Sequence, residues 1–388
     1  MVPIVYNLRS LAVRKTTTLA TAGGVALVVF VFAAVLMLSE GVKRTLGRSG
    51  SDDIAIVLRD GSDAELSSGI EAPQIALITA PSEVKRRGGG APDAAAEIVA
   101  VLSLDKVGTD GQSNAQIRGV PDDVMSFRPS VRLVAGRVPR PGADEAMIGN
   151  AIRGRFRGLD MGQSFEIRKN RNLTVVGVFE DGGSSYESEI WAGRDQVQSA
   201  LGRGTVVSSV RVRLRSRDVF ERYQRQLQSN RQLGVDVMRE SDYYAKQSEG
   251  LSIFINALGI LVAFFFSVGA VIGAMITMHA SVANRSREIG TLRALGFKRW
   301  QILLCFLLES SILALVGGLL GAAASLSMAL VRFPMVNFAS WSEIVFTFEP
   351  TPGVIIASLV VAVLMGLVGG FLPAVRAARA DVLSAIRA

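Results

Sequence analysis

Residues 287–300, REIGTLRALGFKRW, lie between two long apolar segments and are too polar to sit in lipid. The apolar positions of this stretch recur every three residues, which is the spacing of one helix face: Ile289, Leu292 and Leu295. Three charged side chains fall on other faces: Arg287, Glu288 and Arg293. Gly296 follows at a natural helix C-terminus. The pattern predicts a short amphipathic helix at a membrane surface, which raises the question of what its apolar stripe contacts.

Charge is segregated along this chain of 388 residues. With 49% hydrophobic and 20% charged residues, the chain is too apolar for a soluble protein and too charged to lie wholly in a membrane. Four stretches almost lack Asp, Glu, Lys and Arg, and each exceeds the roughly 20 residues that cross a hydrocarbon core. They predict transmembrane helices over residues 16–39, 251–284, 301–331 and 351–375.

The distribution of basic residues predicts how these helices are oriented. Residues 285–300 carry five basic side chains and one acidic one, whereas residues 40–250 carry 30 basic and 29 acidic side chains. Excess Lys and Arg in short loops marks the cytoplasmic side. We therefore expect the 285–300 helix, both termini and the tail over 376–388 to be cytoplasmic, with 40–250 and the 332–350 loop outside. The basic net charge of +8 is thus explained by the orientation of the chain in the membrane and does not indicate a nucleic-acid partner.

Apolar side chains at helical spacing also occur in residues 1–15, where they predict an interfacial helix along the inner leaflet.

The second predicted membrane helix is longer than a bilayer needs. Residues 251–284 would be about 51 Å long as a helix, whereas the hydrocarbon core is about 30 Å thick. Because residues 241–250 could extend this helix outward, we expect a continuous stalk that can carry movement across the membrane.

Strand and helix patterns alternate along residues 40–250, which predicts an α+β domain. Residues 206–216 predict a strand with one buried apolar face and a solvated row of arginines: Arg211, Arg213 and Arg215. Residues 218–230 predict a helix, 234–241 a strand and 163–181 a hairpin. Residues 145–158, EAMIGNAIRGRFRG, predict another helix.

The inventory of reactive side chains argues against catalysis and metal binding. Cys305 is the one cysteine, so no intrachain disulfide or thiolate metal site is possible. His279 is the one histidine and has no partner to help hold zinc, so it is interpreted as an interfacial polar residue. Because no GxSxG, HExxH or paired-carboxylate motif occurs, we predict neither catalytic residues nor a metal site.

Glu309 is the one acidic residue in the predicted spans. An ion relay normally needs several such groups, so we favour packing against the 285–300 segment over proton coupling. The partners considered are Arg293, Lys298 and Arg299. Two pairs of glycines have the small-xxx-small spacing that allows helices to pack closely: Gly317 with Gly321, and Gly366 with Gly370. We expect them to join the third and fourth helices.

These sequences resemble one family of membrane proteins. REIGTLRALGFKRWQIL, followed by a helix containing LLES, resembles the coupling region of the MacB-like and FtsX-like ABC transporter permeases, grouped as type VII. GGFLPAVRAARADVLSAIRA is similar to the family's closing helix, and NLRSLAVRKTTTLATAGGVALVVFVF to its first helix. LTVVGVFEDGGSSYESEIWAGRDQV resembles its periplasmic core region. The order of one span, a large outer domain and three spans also agrees.

The resemblance implies that the 285–300 helix is a coupling helix seated in a groove of a separate ATPase subunit. The residues assigned to this contact are Arg287, Glu288, Ile289, Thr291, Leu292, Arg293, Leu295, Gly296 and Phe297. It also implies a dimer of ATPases and a second permease copy, forming a homodimer or related heterodimer whose first two helices line the interface. A periplasmic adaptor, an outer-membrane channel and inner-membrane lipid are the other expected partners.

Residues 41–49, GVKRTLGRS, are the nearest match to a phosphate-binding Walker A loop, GxxxxGK[ST]. They have one residue too many between the glycines, an arginine in place of the lysine, and a predicted outward location. We therefore expect the chain not to be an enzyme and to bind no cofactor, with ATP and Mg²⁺ held by the partner ATPase.

Three functions fit these expectations. The first is a mechanotransmitting permease that exports or extracts a substrate from the periplasm or outer leaflet. The second is an FtsX-like regulator of a cell-wall hydrolase, and the third is a lipoprotein-release permease. The size of the 40–250 segment, about 210 residues, favours the first over the second.

Overall fold

The computed structural model describes residues 15–379, which form two compact units. The helical unit comprises residues 15–41, 253–331 and 347–379, and the sheet unit comprises residues 42–252 and 332–346. Of the predicted segments, the interfacial helix over 1–15 lies outside the described residues except for Lys15, and so does the tail from residue 380 onward.

Nine α-helices occur within residues 15–379. They are α1 Lys15–Gly47, α2 Ala72–Thr79, α3 Val124–Phe127, α4 Arg194–Leu201, α5 Phe220–Gln228, α6 Glu240–Asn284, α7 Ser286–Ala294, α8 Arg299–Ser325 and α9 Pro352–Arg379. Four of them, α1, α6, α8 and α9, are long and apolar enough to cross a membrane. The predicted four transmembrane helices, with an α+β domain between the first and second, are therefore confirmed as the fold class.

Small side chains set the packing of the helical unit. In α8, a Cβ on Gly317 would lie 2.5 Å from the carbonyl oxygen of Ala22 in α1, and one on Gly321 would lie 2.3 Å from that of Ala26. A Cβ on Gly366 in α9 would lie 2.5 Å from the Cβ of Ala314 in α8. Such small residues let the helix backbones pack closely. Close packing stabilises helix association in a membrane, where the lipid is as apolar as the side chains and the hydrophobic effect does not drive the helices together.

The two glycine pairs therefore join different helices. Gly366 and Gly370 bring α9 against α8, as expected. Gly317 and Gly321 bring α8 against α1, which differs from the expected contact with the fourth helix. The neighbouring Gly318 faces that helix instead, since a Cβ there would lie 2.7 Å from the Cβ of Ala362. A spacing of four residues marks a small face but does not identify the helix that covers it.

The helix α6 has 45 residues and begins at Glu240, 11 residues before the apolar segment begins. Its first 13 residues belong to the sheet unit and the remainder to the helical unit. At 1.5 Å per residue it is about 67 Å long, roughly twice the thickness of a hydrocarbon core. One residue, Arg285, separates it from the short helix α7.

The sheet unit contains a mixed sheet of ten strands. They are β1 Ile54–Arg59, β2 Ala94–Asp105, β3 Gln112–Val120, β4 Arg132–Gly136, β5 Glu145–Gly149, β6 Ser164–Arg168, β7 Arg171–Glu180, β8 Glu189–Gly193, β9 Ser209–Arg213 and β10 Val235–Arg239. Their order is β10-β1-β9-β2-β3-β8-β5-β7-β4, with β6 also paired to β7. The pairs β3–β8 and β5–β7 are parallel and the others antiparallel.

Two hydrophobic clusters form the core of this sheet. One includes Ile117, Ile148, Ile190 and Val197, so it joins β3, β5 and β8 to the helix α4. The other packs β1, β9 and β10 against α5, whose apolar stripe is fully covered: Phe220, Tyr223 and Leu227. Burying each such side chain contributes about 1.5–3 kcal/mol to folding.

One local prediction for this unit is wrong. Residues 145–158, predicted as a helix, form the strand β5 followed by turns, because Ala146, Met147 and Ile148 are buried between β7 and β8. The connection over residues 332–350 contains a hairpin of two further strands, β11 Arg332–Asn337 and β12 Ser342–Thr347, which was not predicted from the sequence. Most of this hairpin, residues 332–346, belongs to the sheet unit.

Candidate functional site

The short helix α7 presents a mixed polar and apolar surface. Its preceding residue Arg285 is buried, and the chain turns at Gly296, whose φ of +95° favours glycine. The exposed side chains of this segment include Arg287, Glu288, Thr291, Ala294, Leu295, Lys298, Arg299 and Trp300. Leu295 is 72% exposed and Trp300 54%. Two large apolar side chains beside a cluster of charges form a surface suited to a protein partner.

Not all of the predicted contact residues lie on that surface. Ile289 is 3% exposed and packs inside the helical unit, where its neighbours are Met278, Ile302, Phe306, Ala374 and Ala377. Leu292 and Arg293 are half-buried, and an Nη of Arg293 donates to the carbonyl oxygen of Phe297. The expectation that Ile289 enters a partner's groove is therefore wrong, because the residue anchors α7 to α6, α8 and α9.

Glu309 lies in α8 and is 3% exposed. Its Oε2 accepts a hydrogen bond of 2.9 Å from Nη1 of Arg285, which is 7% exposed at the side chain. Nε of the same guanidinium lies 3.3 Å from Oε2 of Glu288. The acid thus packs against the 285–300 segment as expected, but through Arg285 rather than Arg293, Lys298 or Arg299. The pair ties the junction of α6 and α7 to α8.

A groove of about 340 Å³ runs between α1 and α6 within the helical unit. Small side chains form part of it: Ala20, Gly24, Gly269, Gly273 and Ala274. The hydroxyl of Thr21 donates to that of Thr277 across the two helices, at 2.8 Å. Beside the groove, Phe264, Phe265 and Phe266 are each more than 45% exposed. The two helices that the resemblance assigns to a dimer interface therefore carry an uncovered apolar face.

The sheet unit encloses a group of charged side chains that the sequence did not indicate. We call it the buried ion cluster, and its members are Glu65, Glu97, Arg118, Arg128, Glu189, Arg211 and Glu240. Each is at most 5% exposed. They come from a 3₁₀ turn, β2, β3, the segment after α3, β8, β9 and the first residue of α6. The strands and α6 are thereby joined through charges.

Two arginines hold the centre of the buried ion cluster. Nη1 of Arg118 contacts Glu65 at 2.9 Å and Glu97 at 2.8 Å, and its Nε contacts Glu189 at 2.7 Å. Arg211 contacts Glu65 at 2.6 Å, Glu97 at 2.8 Å and Glu240 at 2.8 Å. The prediction that Arg211 lies on a solvated face is wrong. Its strand is covered on both faces, by apolar residues on one and by these carboxylates on the other.

The charges of the buried ion cluster stabilise one another. Burial alone would raise the pKa of the Glu65 carboxyl, but the charges of Arg118 and Arg211 outweigh it and hold that pKa well below its ordinary value. For Glu97, burial is likewise outweighed by Arg211, Arg128 and Arg118, so its pKa is lowered. Both carboxyls are therefore ionised at neutral pH. Removing one partner of such a buried pair is strongly destabilising, because it leaves an uncompensated charge in the interior.

The hairpin of β11 and β12 is fixed within the sheet unit by a second buried acid. Glu343, 6% exposed, accepts hydrogen bonds from Ser113 at 2.6 Å and Arg155 at 2.9 Å, and its carboxylate lies 2.5 Å from Nζ of Lys106. Burial is again outweighed by these partners, so the pKa of Glu343 is lowered. Asn337 in β11 donates to Gln247 in α6 at 3.0 Å.

The structure shows how the nearest Walker A match is folded and how the possible metal-binding side chains are arranged. Residues 41–47 of the nearest Walker A match are helical, as the end of α1, and so do not form a phosphate-binding loop. Within the same residues no group of three or more His, Cys, Asp or Glu side chains is arranged to hold a metal ion. Nδ1 of His279 faces the carbonyl oxygen of Met275 and its Nε2 faces Arg376.

Comparison with known proteins agrees with this architecture. Residues 16–230 match the model of the MacB-like periplasmic core domain, and residues 260–382 match that of the FtsX-like permease C-terminal region. The first match covers more than half of the chain.

Named relatives are similar over parts of their length. A "Macrolide export ATP-binding/permease protein MacB" of Photorhabdus laumondii is 28% identical over 56% of this chain and 34% of its own length. An "Uncharacterized ABC transporter permease YknZ" of Bacillus subtilis is 33% identical over 39% of this chain and 36% of its own length. A "Probable export ATP-binding/permease protein" of Pseudomonas fluorescens is 26% identical over 97% of this chain and 59% of its own length.

The chain thus spans about a third of the first two relatives and less than two thirds of the third. The family assignment rests on the match over residues 16–230, on the second match over residues 260–382, and on four membrane-spanning helices around a mixed α/β domain. This chain belongs to the MacB-like and FtsX-like family of ABC transporter permeases.

Proposed function

We propose that this chain is the membrane subunit of an ABC transporter and transmits movements driven by a separate ATPase to its sheet unit. The observation that carries the proposal is the continuity of α6, which runs as one helix from Glu240 in the sheet unit to Asn284, one residue before α7. Such a helix can carry displacement from one side of a membrane to the other without opening a pore.

The exposed surface of α7 is the proposed contact with the ATPase. The excess of Lys and Arg in residues 285–300 favours a cytoplasmic location, where ATP is available. Leu295 and Trp300 supply the apolar part of the contact, and Arg287 and Glu288 supply the polar rim. Ile289 and the Arg285–Glu309 pair hold α7 in the helical unit, so a push on α7 is passed to α6 and α8.

The proposed assembly contains two permease copies and two ATPases, with ATP and Mg²⁺ bound by the ATPases. The apolar groove between α1 and α6 supports a permease–permease contact along these helices. The sheet unit then faces the periplasm, with both termini cytoplasmic, and a periplasmic adaptor and an outer-membrane channel would complete an export route.

Export or extraction of a substrate from the periplasm or outer leaflet is the proposed activity. The match to the MacB-like periplasmic core over residues 16–230 supports transport over regulation of a cell-wall hydrolase. Macrolide export is the activity in the names of several relatives, but the chain covers only part of those proteins, so we propose the class of activity and no particular substrate. Release of lipoproteins belongs to the same class.

Purification from its own membranes in mild detergent tests this function. We expect an ABC ATPase to copurify with the wild-type chain and to be lost when Leu295 is replaced by Asp. The matched control is Leu77→Asp, since Leu77 is exposed on α2 in the sheet unit and lies outside the proposed contact. A wild-type chain that associates with no ATPase would refute the proposal.

A further inference from the structure

The start of α6 is held within the sheet unit by several polar contacts. Glu240, its first residue, is 1% exposed, and its Oε1 accepts hydrogen bonds from Arg211 at 2.8 Å and Tyr186 at 3.1 Å. Arg128 contributes a longer contact of 3.4 Å. A negative charge at the N-terminus of a helix also interacts favourably with the helix dipole. The first residue of the helix is therefore a member of the buried ion cluster.

The next turn of α6 is held in the same way. The hydroxyl of Tyr243 accepts a hydrogen bond of 3.2 Å from the backbone nitrogen of Glu65, and the hydroxyl of Tyr244 donates to that of Tyr186 at 2.9 Å. Both tyrosines are 4% exposed. Gln247, one turn further, accepts from Asn337 of the β11–β12 hairpin at 3.0 Å.

A glycine brings the chain after α1 against the same point. A Cβ on Gly50 would lie 2.7 Å from the carbonyl oxygen of Glu240 and 2.6 Å from the Cα of Ser241. The junction is thus filled by backbone as well as by side chains. Hydrogen bonds to charged groups are directional, so they resist rotation of the helix about its first residue. Apolar contacts are not directional and would resist this rotation less.

We propose that Glu240 is a positioning residue, which fixes α6 to the sheet so that movement of the helix displaces the whole sheet unit. Without this joint, the same movement would be absorbed by bending at the junction. The inference rests on the proposed function, because a fixed joint matters only if α6 transmits movement. It adds the location of the attachment, which is the buried ion cluster.

The rigidity of the joint can be measured without an ATPase. Spin labels on the exposed residues Lys246 in α6 and Asp195 in α4, in a Cys305→Ser chain, report one distance within the sheet unit. We expect a single narrow distance in the unsubstituted chain and a broad distribution in Glu240→Gln. The matched control is Glu249→Gln, an exposed acid on the same helix, which is expected to leave the distance narrow.

A second variant decides the outcome if Glu240→Gln does not fold. Replacing Tyr186 and Tyr244 together with Phe removes three hydrogen bonds from the joint: the one that Tyr186 donates to the Glu240 carboxylate, the one between the two tyrosines, and a longer one of 3.5 Å from Arg211 to Tyr244. The ion pairs of the joint stay in place. We expect this variant to fold and to broaden the same distance. A narrow distance in this variant and in any folded Glu240→Gln protein would overturn the proposal.

The consequence for transmission is measured in the complex with the ABC ATPase that copurifies with the wild-type chain. A label on Asp195 alone reports the distance between the two copies. We expect ATP to change that distance in the unsubstituted chain and in Glu249→Gln. In the joint variants we expect that change to be lost while ATP hydrolysis continues, a separation that a merely less stable protein would not produce.

Retention of the ATP-dependent change in the joint variants would refute the role of Glu240 even though the proposed function held. Absence of the change in the unsubstituted complex would instead count against the proposed function, while the Lys246–Asp195 distance would still report on the joint. The two failures are therefore distinguishable.

Discussion

Arg285 and Glu309 form a buried ion pair of 2.9 Å that joins the α6–α7 junction to α8. They lie 24 residues apart in sequence, and both side chains are at most 7% exposed. The pair gives α7 a fixed position from which its exposed side chains project. It also gives the acid in the third span a structural role that requires no ion relay.

Removal of one partner of this pair is expected to be costly. In Glu309→Gln the Arg285 charge loses its buried partner, and we expect destabilisation by about 3–5 kcal/mol. Thermal unfolding in detergent measures the change. The double variant Arg285→Met, Glu309→Leu removes both charges of the pair and should recover most of the loss. A double variant as unstable as the single one would show that the pair itself is not the cause.

Leu295 and Ile289 are expected to respond in opposite ways to truncation. Leu295→Ala should leave unfolding unchanged and weaken ATPase association, because the side chain is 72% exposed. Ile289→Ala should destabilise the chain by about 2–4 kcal/mol, because it opens a cavity among α6, α8 and α9. Copurification and thermal unfolding of both variants separate the two roles. Equal effects on stability would contradict the assignment.

Gly321 is expected to tolerate no side chain. A Cβ there would lie 2.3 Å from the carbonyl oxygen of Ala26, so Gly321→Ala must separate α8 from α1. We expect a loss of about 1–3 kcal/mol, the usual cost of overpacking. The matched control is Gly23→Ala in α1, where a Cβ meets nothing within 4 Å. If both variants unfold at the same temperature, close packing of α8 on α1 is not required.

Acid should weaken the sheet unit. The pKa values of Glu65 and Glu97 are lowered by folding, so their stabilisation is complete above their unfolded pKa of about 4.3 and is lost as pH falls through the lower folded values. Unfolding can be followed by the fluorescence of buried Trp191 after Trp300 and Trp341 are replaced by Phe. We expect stability to be nearly constant between pH 7 and about 5 and to fall below about 4. Unchanged stability at about pH 3 would contradict the buried ion cluster.

Composition and periodicity were sufficient to predict the four membrane helices and the α+β domain, because long uncharged runs and alternating strands are local patterns. They also placed the short helix within residues 285–300 between the second and third membrane helices. The contact made by its apolar face could not be predicted, because residue spacing alone does not show whether Ile289 faces a partner or its own chain. Its neighbours in α8 and α9 lie up to 88 residues away.

Long-range pairing explains the features that were missed. Alternation around Arg211 is typical of a half-solvated strand, but its carboxylate partners Glu65 and Glu97 lie 146 and 114 residues away. Glu343 likewise meets Ser113 and Arg155 across 230 and 188 residues. No short-range sequence pattern predicts contacts between residues so far apart. Glu240 falls within the predicted strand 234–241, so its place at the start of α6 and in a charged attachment was not predicted.

Photo-crosslinking in living cells tests the central claim most directly. A photoreactive side chain at position 295 is predicted to capture an ABC ATPase, and one at the buried position 289 is predicted not to. Capture of extracytoplasmic proteins from position 295, or of no ATPase while that enzyme is present, would contradict the claim that α7 couples this permease to a cytoplasmic ATPase.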